Sequence, residues 1–197
     1  MKIWYSYYKS MLFKRGKTMD ISPTYNCNMS CGYCVAQIGS KGFPCVPEKS
    51  IDEWKVFIQN FPHRIKQIQI SGGEPTLVPW IAEFINWLLD RGHHVTLITN
   101  LCDWEEILKV KPSRRFKIVS AFHLQDRISR FDEAYQALYP IYQIEVKEFK
   151  RLPYSESWHM ITSLDDPELH IDGYWVSPDF RMYGCCAEHI KDMGKRK

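Results

Sequence analysis

Segments with strand-like and helix-like patterns alternate along most of this chain, and no other feature constrains its fold as much. The strand-like segments are β-branched or alternate in hydrophobicity, whereas the segments between them place apolar residues at helical spacing. The predicted strands are 17–22, 65–71, 94–99, 116–122 and 141–149, and the predicted helices are 51–60, 79–91, 103–110 and 129–139. Because strands that alternate with helices form parallel βαβ units, the sequence predicts an α/β fold with a parallel sheet.

Local signals mark several helix ends. Ser50 with Glu53 three residues later is a capping box for the first predicted helix. Pro79 is a residue type that opens helices, and Gly92 is typical of the position after a helix. Because ligands bind at the carboxyl ends of parallel strands, the segments directly after each strand are the candidate site.

Length and composition narrow the possible classes. With 197 residues, 45% hydrophobic and 25% charged, the chain suits one well-buried domain and not a disordered or fibrous design. A net charge of +3 neither requires nor excludes a nucleic-acid partner. No apolar run approaches the ~20 residues of a membrane span, and the start lacks the pattern of a secretory signal. We therefore expect a cytoplasmic protein with no membrane partner.

Seven cysteines without an export signal argue against a disulfide framework and for metal or redox chemistry. Cys27, Cys31 and Cys34 follow the first predicted strand with the spacing C-x3-C-x2-C. Thiolates at this spacing converge on one side of a short loop, where they can hold three corners of a cluster and leave one iron without a protein ligand. Structural zinc sites have four closed positions, and ferredoxin runs have other spacings. A non-catalytic zinc-binding module that uses the same thiols stays an alternative.

This spacing, with an aromatic residue before the last cysteine, resembles the signature of the radical S-adenosylmethionine (radical SAM) enzymes. The resemblance implies that Cys27, Cys31 and Cys34 ligate one 4Fe–4S cluster, whose fourth iron binds the amino and carboxylate groups of SAM. It places Tyr33 against the adenine. It also implies a partial (β/α)6 TIM-like barrel, open on one side, over about residues 17–150.

A second motif, Gly72-Gly73-Glu74-Pro75, ends the second predicted strand about 40 residues after the cysteine loop. The two glycines allow the backbone to approach a ligand closely, Glu74 supplies an acceptor, and Pro75 stiffens the exit of the turn. In radical SAM enzymes the equivalent turn binds the SAM amino group. The two motifs together identify the chain as a member of this superfamily.

Polar residues at the ends of the next two strands are further candidates for SAM contacts. Asn100 carries an amide suited to the SAM carboxylate, or it caps the following turn. Ser120 and His123 lie where the family often places groups that touch the ribose or carboxylate, or they are satisfied polar residues at a strand end. Both interpretations stay open for all three residues.

The segments on either side of the core, which spans residues 17–150, have distinctive sequence features. Residues 1–16 form an extension rich in aromatic and basic residues, which can stack on bases and pair with phosphates or can pack as an edge strand. Residues 151–197 contain a predicted hairpin around Ser177-Pro178-Asp179, followed by a Cys-Cys pair. We assign no role to Cys45, Cys102, Cys185 and Cys186.

The resemblance implies an enzyme that cleaves SAM reductively to methionine and a 5′-deoxyadenosyl radical, which removes a hydrogen atom from a substrate. The electron comes from an external one-electron reductant, such as a flavodoxin-like or ferredoxin-like protein. The basic aromatic N-terminal extension favours a nucleoside or nucleic-acid substrate. The alternative is a peptide-modifying enzyme, which the C-terminal hairpin favours.

Overall fold

The computed structural model describes residues 17–29, 47–62, 64–122, 128–148, 174–180 and 182–183. The strands are β1 (Lys17–Ile21), β2 (Ile65–Ile70), β3 (His94–Thr99), β4 (Phe116–Phe122), β5 (Gln143–Glu148), β6 (Tyr174–Val176) and β7 (Met182–Tyr183). The α-helices are α1 (Ile51–Gln59), α2 (Ile81–Asp90) and α3 (Ile128–Leu138). Two 3₁₀-helices span Pro75–Leu77 and Trp104–Lys109. None of these helices has the length and apolar character needed to cross a membrane.

The described strands form one sheet in the order β5-β4-β3-β2-β1-β6-β7. β1 to β5 are parallel neighbours, β6 adds to the other side of β1 in parallel, and β7 returns antiparallel to β6. β5 and β7 lie at opposite edges, so the sheet that the described residues form is open. The predicted α/β fold, an open partial barrel with a C-terminal hairpin, is confirmed.

The two faces of the sheet differ in chemistry. One face is apolar and forms a single core with Trp54 of α1 and with Phe84 and Leu88 of α2. Its fully or almost fully buried strand residues are Met19, Ile21, Ile68, Ile70, Val95, Leu97, Phe116 and Ile118. The side chains that alternate with them lie in register on the other face, and they include Asp20, Gln69, Thr96 and Lys117. Because helices cover the outside of a βα barrel, the polar face is the barrel interior.

The structure confirms two of the three helix-end signals that the sequence contains. The Ser50 hydroxyl accepts from the Glu53 amide at 3.3 Å and the Ser50 amide donates to Glu53 Oε2 at 2.9 Å, which confirms the capping box. Gly92, with φ at +86°, follows the end of α2 in the left-handed region, as predicted. Pro79 does not open α2, because Trp80 is the N-cap and the helix begins at Ile81.

The segment predicted as a helix over 103–110 is a 3₁₀-helix instead. Asp103, at its N-cap position, makes no capping hydrogen bond. Its carboxylate instead accepts from Asn28 Nδ2 at 2.6 Å. Asp103, the residue expected to cap a helix, therefore bonds to the loop that follows β1 instead.

The C-terminal hairpin is anchored to both the sheet and α1. The Ser22 amide donates to the Val176 carbonyl at 2.9 Å, so β6 pairs with the end of β1. Phe180, at the tip, stacks on Phe57 with ring centroids 4.8 Å apart and meets Trp54 edge-on at 4.7 Å. The hairpin thus extends the sheet and closes over one end of the core.

Candidate active site at the carboxyl ends of the strands

The loop after β1 and the turn after β2 are joined by main-chain hydrogen bonds. The Gly73 amide donates to the Thr24 carbonyl at 2.9 Å, and the Glu74 amide donates to the Asn26 carbonyl at 2.7 Å. Cys27 is the next residue after Asn26. The two motifs singled out in the sequence therefore lie against each other at the carboxyl edge of the sheet.

The two glycines are required by this contact. A Cβ at Gly72 would lie 2.5 Å from the Thr24 carbonyl oxygen, and one at Gly73 would lie 2.0 Å from that of Asn26. Gly72 also has φ at +117°, which other residues rarely adopt. In the structure the two glycines make room for the backbone that leads into Cys27, and the ligand contact predicted for them stays a prediction.

Glu74 is buried, and its carboxylate is occupied by neighbouring donors. Oε1 accepts from the Thr76 amide at 3.1 Å and from the Thr76 and Thr99 hydroxyls at 2.7 Å each. Oε2 accepts from the Asn100 amide at 2.7 Å. Burial raises the pKa of Glu74, and these hydrogen bonds oppose that effect. The carboxylate thus joins the ends of β2 and β3, while Pro75 begins the 3₁₀-helix that follows.

Asn100 also uses its side chain within the protein. Its Oδ1 accepts from the Cys102 amide at 2.9 Å, which is the turn-capping role weighed from the sequence. Its Nδ2 donates to Asn28 Oδ1 at 2.8 Å, and Asn28 donates onward to Asp103. Asn28 lies inside the C-x3-C motif, so the ends of β3 and β1 are linked through it. The SAM contact predicted for Asn100 stays a prediction.

Cys27 is partly exposed, and its sulfur accepts a hydrogen bond from the Met29 amide at 3.4 Å. A hydrogen bond to sulfur favours the thiolate, which is the form that ligates metals. The other two predicted ligands, Cys31 and Cys34, lie outside the described residues, as do Tyr33 and His123.

The Ser120 hydroxyl is fully buried and has no hydrogen-bond partner in the part of the chain that the structure describes. Ser120 is in register with Thr99 of β3. Its position therefore shares the face that packs against the helices and not the barrel interior. This placement does not favour a direct contact with a ligand in the interior.

The interior holds a carboxyl group that the sequence reasoning missed. Asp20 is 5% exposed, and it accepts from the Ser71 hydroxyl at 2.6 Å and from the Gln69 side-chain amide. Burial raises the pKa of Asp20 to about 7, although the bonds from Ser71 and Gln69 lower it. In the sequence, Asp20 is marked only by its place between Met19 and Ile21. The alternation along the strand assigns it to a polar face, but it does not show that this face is enclosed.

The interior also carries a charged pair farther along the sheet. Lys117 of β4 forms an ion pair with Glu145 of β5, and both side chains are partly exposed. Lys117 lies in register with Thr96 of β3, which in turn pairs with Gln69 of β2. A polar wall therefore crosses the interior from Asp20 to Glu145.

The residues present fit a thiolate-bound cluster with SAM beside it. Cys27 supplies a partly exposed sulfur at the edge of the sheet. Gly72 and Gly73 place main chain, free of side chains, directly beside the loop that carries it. The polar interior next to both motifs suits a charged, hydroxyl-rich ligand.

Residues 21–122, just over half of the chain, match the Radical SAM superfamily. A protein named as a glycyl-radical enzyme activating enzyme, from Methanocaldococcus jannaschii, is 37% identical over 79 residues, which are 39% of this chain and 29% of that protein. An S-adenosylmethionine-dependent nucleotide dehydratase of Selenomonas ruminantium is 30% identical over 84 residues, or 42% of this chain and 29% of the dehydratase. A GTP 3′,8-cyclase of Lactiplantibacillus plantarum is 32% identical over 83 residues, which are 41% of this chain and 25% of the cyclase. The matches thus span less than a third of each of these relatives.

Solved structures share the fold at low identity. BtrN in complex with AdoMet and 2-DOIA aligns with a TM-score of 0.63 at 12% identity, over 93% of this chain and 80% of BtrN. Streptococcus suis SuiB bound to S-adenosylmethionine aligns with a TM-score of 0.57 at 16% identity, over 82% of this chain and 40% of SuiB.

Proposed function

The chain belongs to the radical SAM superfamily, and from that premise we propose that it is a radical SAM enzyme that removes a hydrogen atom from an organic substrate. The proposed ligands of its 4Fe–4S cluster are Cys27, Cys31 and Cys34. When bound, the cluster and SAM supply a one-electron reductive cleavage that yields methionine and a 5′-deoxyadenosyl radical. The electron donor that we propose is a flavodoxin-like or ferredoxin-like protein.

One observation carries this proposal. The backbone that leads into Cys27 is bonded to the Gly-Gly-Glu-Pro turn at Gly73 and Glu74, with N···O distances of 2.9 Å and 2.7 Å. Neither glycine can take a side chain without colliding with that backbone. The fold thus brings the proposed cluster loop and the proposed SAM-binding turn into contact, as one site requires.

The chain's own residues would position the reactants and exclude water. We propose that Gly72, Gly73 and Pro75 shape the turn that holds the SAM amino group, while the buried Glu74 fixes that turn to the end of β3. Asn28 and Asn100 would keep the cysteine loop at a fixed position above the sheet. Tyr33, Asn100 and His123 remain proposed SAM contacts, whereas the face of β4 on which Ser120 lies does not favour one for Ser120.

For the substrate we propose a nucleoside or nucleic acid. Residues 1–16 interleave five aromatic with four basic side chains and contain no acid, which suits stacking on bases and pairing with phosphates. Two of the relatives, the nucleotide dehydratase and the GTP cyclase, are named for nucleotides. A peptide substrate is the second candidate, because the hairpin that ends at Tyr183 extends the sheet beside β1.

The class of the protein is tested by anaerobic reconstitution with iron and sulfide. The proposal expects about four iron and four sulfide per chain and visible iron–sulfur absorbance. Single Cys27→Ala, Cys31→Ala and Cys34→Ala variants should each lose the absorbance, whereas Cys102→Ala, in which the cysteine is buried, serves as the matched control. Stoichiometric zinc in place of iron would establish the zinc-module alternative instead.

The substrate class is tested by adding candidates to the reduced enzyme. A set of ribonucleosides and nucleotides should raise 5′-deoxyadenosine formation above the rate without substrate. Deuterium from a labelled nucleoside should then appear in that product. If only peptides stimulate the reaction or transfer label, the nucleoside assignment is wrong.

A further inference from the structure

The amino edge of the sheet, opposite the proposed active site, carries an excess of positive charge. Exposed cations lie directly before or at the start of three neighbouring strands, β2, β3 and β4. These cations, which together form what we call the basic face, are Arg64, Lys66, Arg91, Lys111, Arg114 and Arg115. The described segments that carry them, 64–66, 90–94 and 111–115, contain one acid, Asp90. The whole chain has an excess of only three cations, so its positive charge is concentrated here.

Hydrogen bonds join the three segments into one surface. The His93 ring bonds through Nδ1 to the Ile65 carbonyl oxygen at 3.0 Å, and the Val95 amide donates to the Arg115 carbonyl at 2.8 Å. The Arg115 guanidinium donates to the Leu89 carbonyl, near the end of α2, at 2.9 Å. Because neighbouring strands are about 4.8 Å apart, the starts of the three strands form a row about 10 Å wide.

Most of this charge is not neutralised by the part of the chain that the structure describes. Lys111 pairs with Asp90 at 3.2 Å, and both side chains are exposed to water. None of the ion pairs among the described residues involves Lys66 or any of the four arginines of the basic face. Arg91 instead lies over the Trp87 ring, 3.8 Å from its centroid. A concentration of exposed cations of this kind attracts a polyanion.

Two features favour a nucleic acid over an acidic protein as that polyanion. Four of the six cations are arginines, whose planar guanidinium groups bind two phosphate oxygens at once. Lys17 pairs with Ile65 at the same edge, so residues 1–16 lead into the sheet beside the basic face. That extension contains five aromatic and four basic side chains and no acid, which suits stacking on bases.

We propose that the basic face binds the phosphate backbone of a polynucleotide, as a surface separate from the active site. β2 has six residues at about 3.3 Å each, so about 20 Å separate this face from the turn at Gly72. A nucleoside in the active site cannot reach across that distance, whereas a polynucleotide can. The inference therefore goes beyond the proposed function, because cleavage of SAM does not use this surface.

The test is the affinity for a labelled single-stranded RNA of about 20 nucleotides, which is long enough to cover the face. Fluorescence anisotropy of the anaerobically reconstituted full chain gives the binding constant over a range of salt concentrations. A variant that combines Arg64→Gln, Lys66→Gln and Arg114→Gln should bind about tenfold more weakly. The slope of log K against log salt should become shallower by about 2, because each phosphate contact to a single strand contributes about 0.7.

The matched control combines Lys49→Gln, Lys55→Gln and Arg130→Gln. It removes the same charge from the region of α1 and α3, away from the amino edge, and it should bind the RNA like wild type. Equal losses in the two triple variants would overturn the proposal, because net charge alone would then explain binding. Binding by the basic-face variant that matches wild type, in affinity and in salt slope, would also overturn it.

Polyglutamate represents an acidic protein as a competitor. Because it has no bases to stack, it should displace the RNA only at a much higher concentration of charge than unlabelled RNA does. Equal displacement per charge would assign the face to an acidic protein and overturn the nucleic-acid partner.

Single substitutions keep the inference testable if the triple variant folds poorly. Arg64→Gln, Lys66→Gln and Arg114→Gln should each lower the salt slope by about 0.7, and three unchanged slopes would contradict the proposal. Both triple variants should form 5′-deoxyadenosine from SAM at the wild-type rate. RNA binding through the basic face by a protein that forms no 5′-deoxyadenosine would support this inference and defeat the proposed function.

Discussion

Glu74 is the residue on which the geometry of the proposed SAM turn depends. Four donors converge on its buried carboxylate, three on Oε1 and one on Oε2. Glu74→Gln can satisfy the three donors with its carbonyl oxygen, but its amide nitrogen then faces the Asn100 amide. We expect a loss of about 1–3 kcal/mol in the free energy of unfolding, from urea denaturation of the cluster-free protein.

The matched control is Glu83→Gln, a change of the same kind at a side chain that is 66% exposed in its ion pair with Lys55. Exposed pairs contribute about 0–1 kcal/mol, so this variant should stay close to wild type. Equal stabilities for the Glu74 and Glu83 variants would show that the buried network does not hold the turn.

The raised pKa of Asp20 predicts an unusual dependence of the free energy of unfolding on pH. Its pKa is about 7 in the folded protein against the ordinary value of 3.8, so the folded state holds the proton more tightly than the unfolded chain does. The free energy of unfolding therefore contains a contribution that is complete below about pH 4 and is lost as pH rises to 7. At most about 4 kcal/mol is lost in this way, at 1.36 kcal/mol per pH unit.

The asparagine in Asp20→Asn does not titrate in this pH range, so the variant lacks this pH-dependent contribution to the free energy of unfolding. The difference in unfolding free energy between the variant and wild type should grow in favour of the variant from pH 4 to pH 7 and stay constant above that. Urea midpoints of the cluster-free proteins over this range measure the difference. A difference that is constant across the range would mean that the pKa of Asp20 is ordinary.

At this scale, sequence reasoning finds residues that belong to short motifs and misses those that the fold assembles. Cys27, Gly73 and Glu74 are evident because their motifs are contiguous. Asp20 and Gln69 are 49 positions apart and meet only when β1 pairs with β2. Asn28 stands inside a motif, yet its partner Asp103 is 75 positions away.

At the scale of elements, the contact between the cysteine loop and the glycine turn is the feature that matters most. In Gly73→Ala the new Cβ would lie 2.0 Å from the Asn26 carbonyl oxygen, so the loop that carries Cys27 must move. We expect the variant to fold and to bind much less iron and sulfide than wild type after reconstitution.

Gly92→Ala is the control for that experiment. Gly92 has φ at +86°, and a Cβ there would meet Arg115 at an ordinary 3.6 Å. The substitution should cost about 1–2 kcal/mol of stability through backbone strain while iron content stays normal. If Gly73→Ala assembles the cluster as well as Gly92→Ala does, the two loops are not coupled as the structure implies.

Element positions follow well from the sequence because hydrophobic period and capping agree along this chain. α1 has both its capping box and its buried stripe, and its predicted bounds are correct to one residue. The segment after β3 departs from prediction because Asp103 bonds to Asn28, a partner that local pattern cannot reveal.

At the scale of the whole molecule, the hairpin links the first strand to α1. Phe180→Ala should remove the stacked contact with Phe57 and the edge contact with Trp54, for a loss of about 3 kcal/mol in the free energy of unfolding. Val56→Ala, at a side chain of α1 that is mostly exposed, should change stability by less than about 0.5 kcal/mol. Thermal or urea unfolding of both variants gives the comparison, and equal stabilities would show that the hairpin tip is not part of the core.

The order of the sheet also belongs to this scale, and the sequence predicts only part of it. The alternation of strands and helices predicts β1 to β5 as parallel neighbours, and Ser177-Pro178-Asp179 predicts the hairpin. The pattern contains no information on which edge β6 joins, because β6 reaches β1 across more than 150 residues of chain.

The most direct test of the enzyme proposal is product formation by the reduced protein. Anaerobically reconstituted protein, treated with dithionite and SAM, should form methionine and 5′-deoxyadenosine in equal amounts, measured by mass spectrometry. The variant with Cys27, Cys31 and Cys34 all changed to alanine should form neither. Iron-loaded wild type that binds SAM but yields no 5′-deoxyadenosine above the level of the triple variant would contradict the proposal that this chain is a radical SAM enzyme.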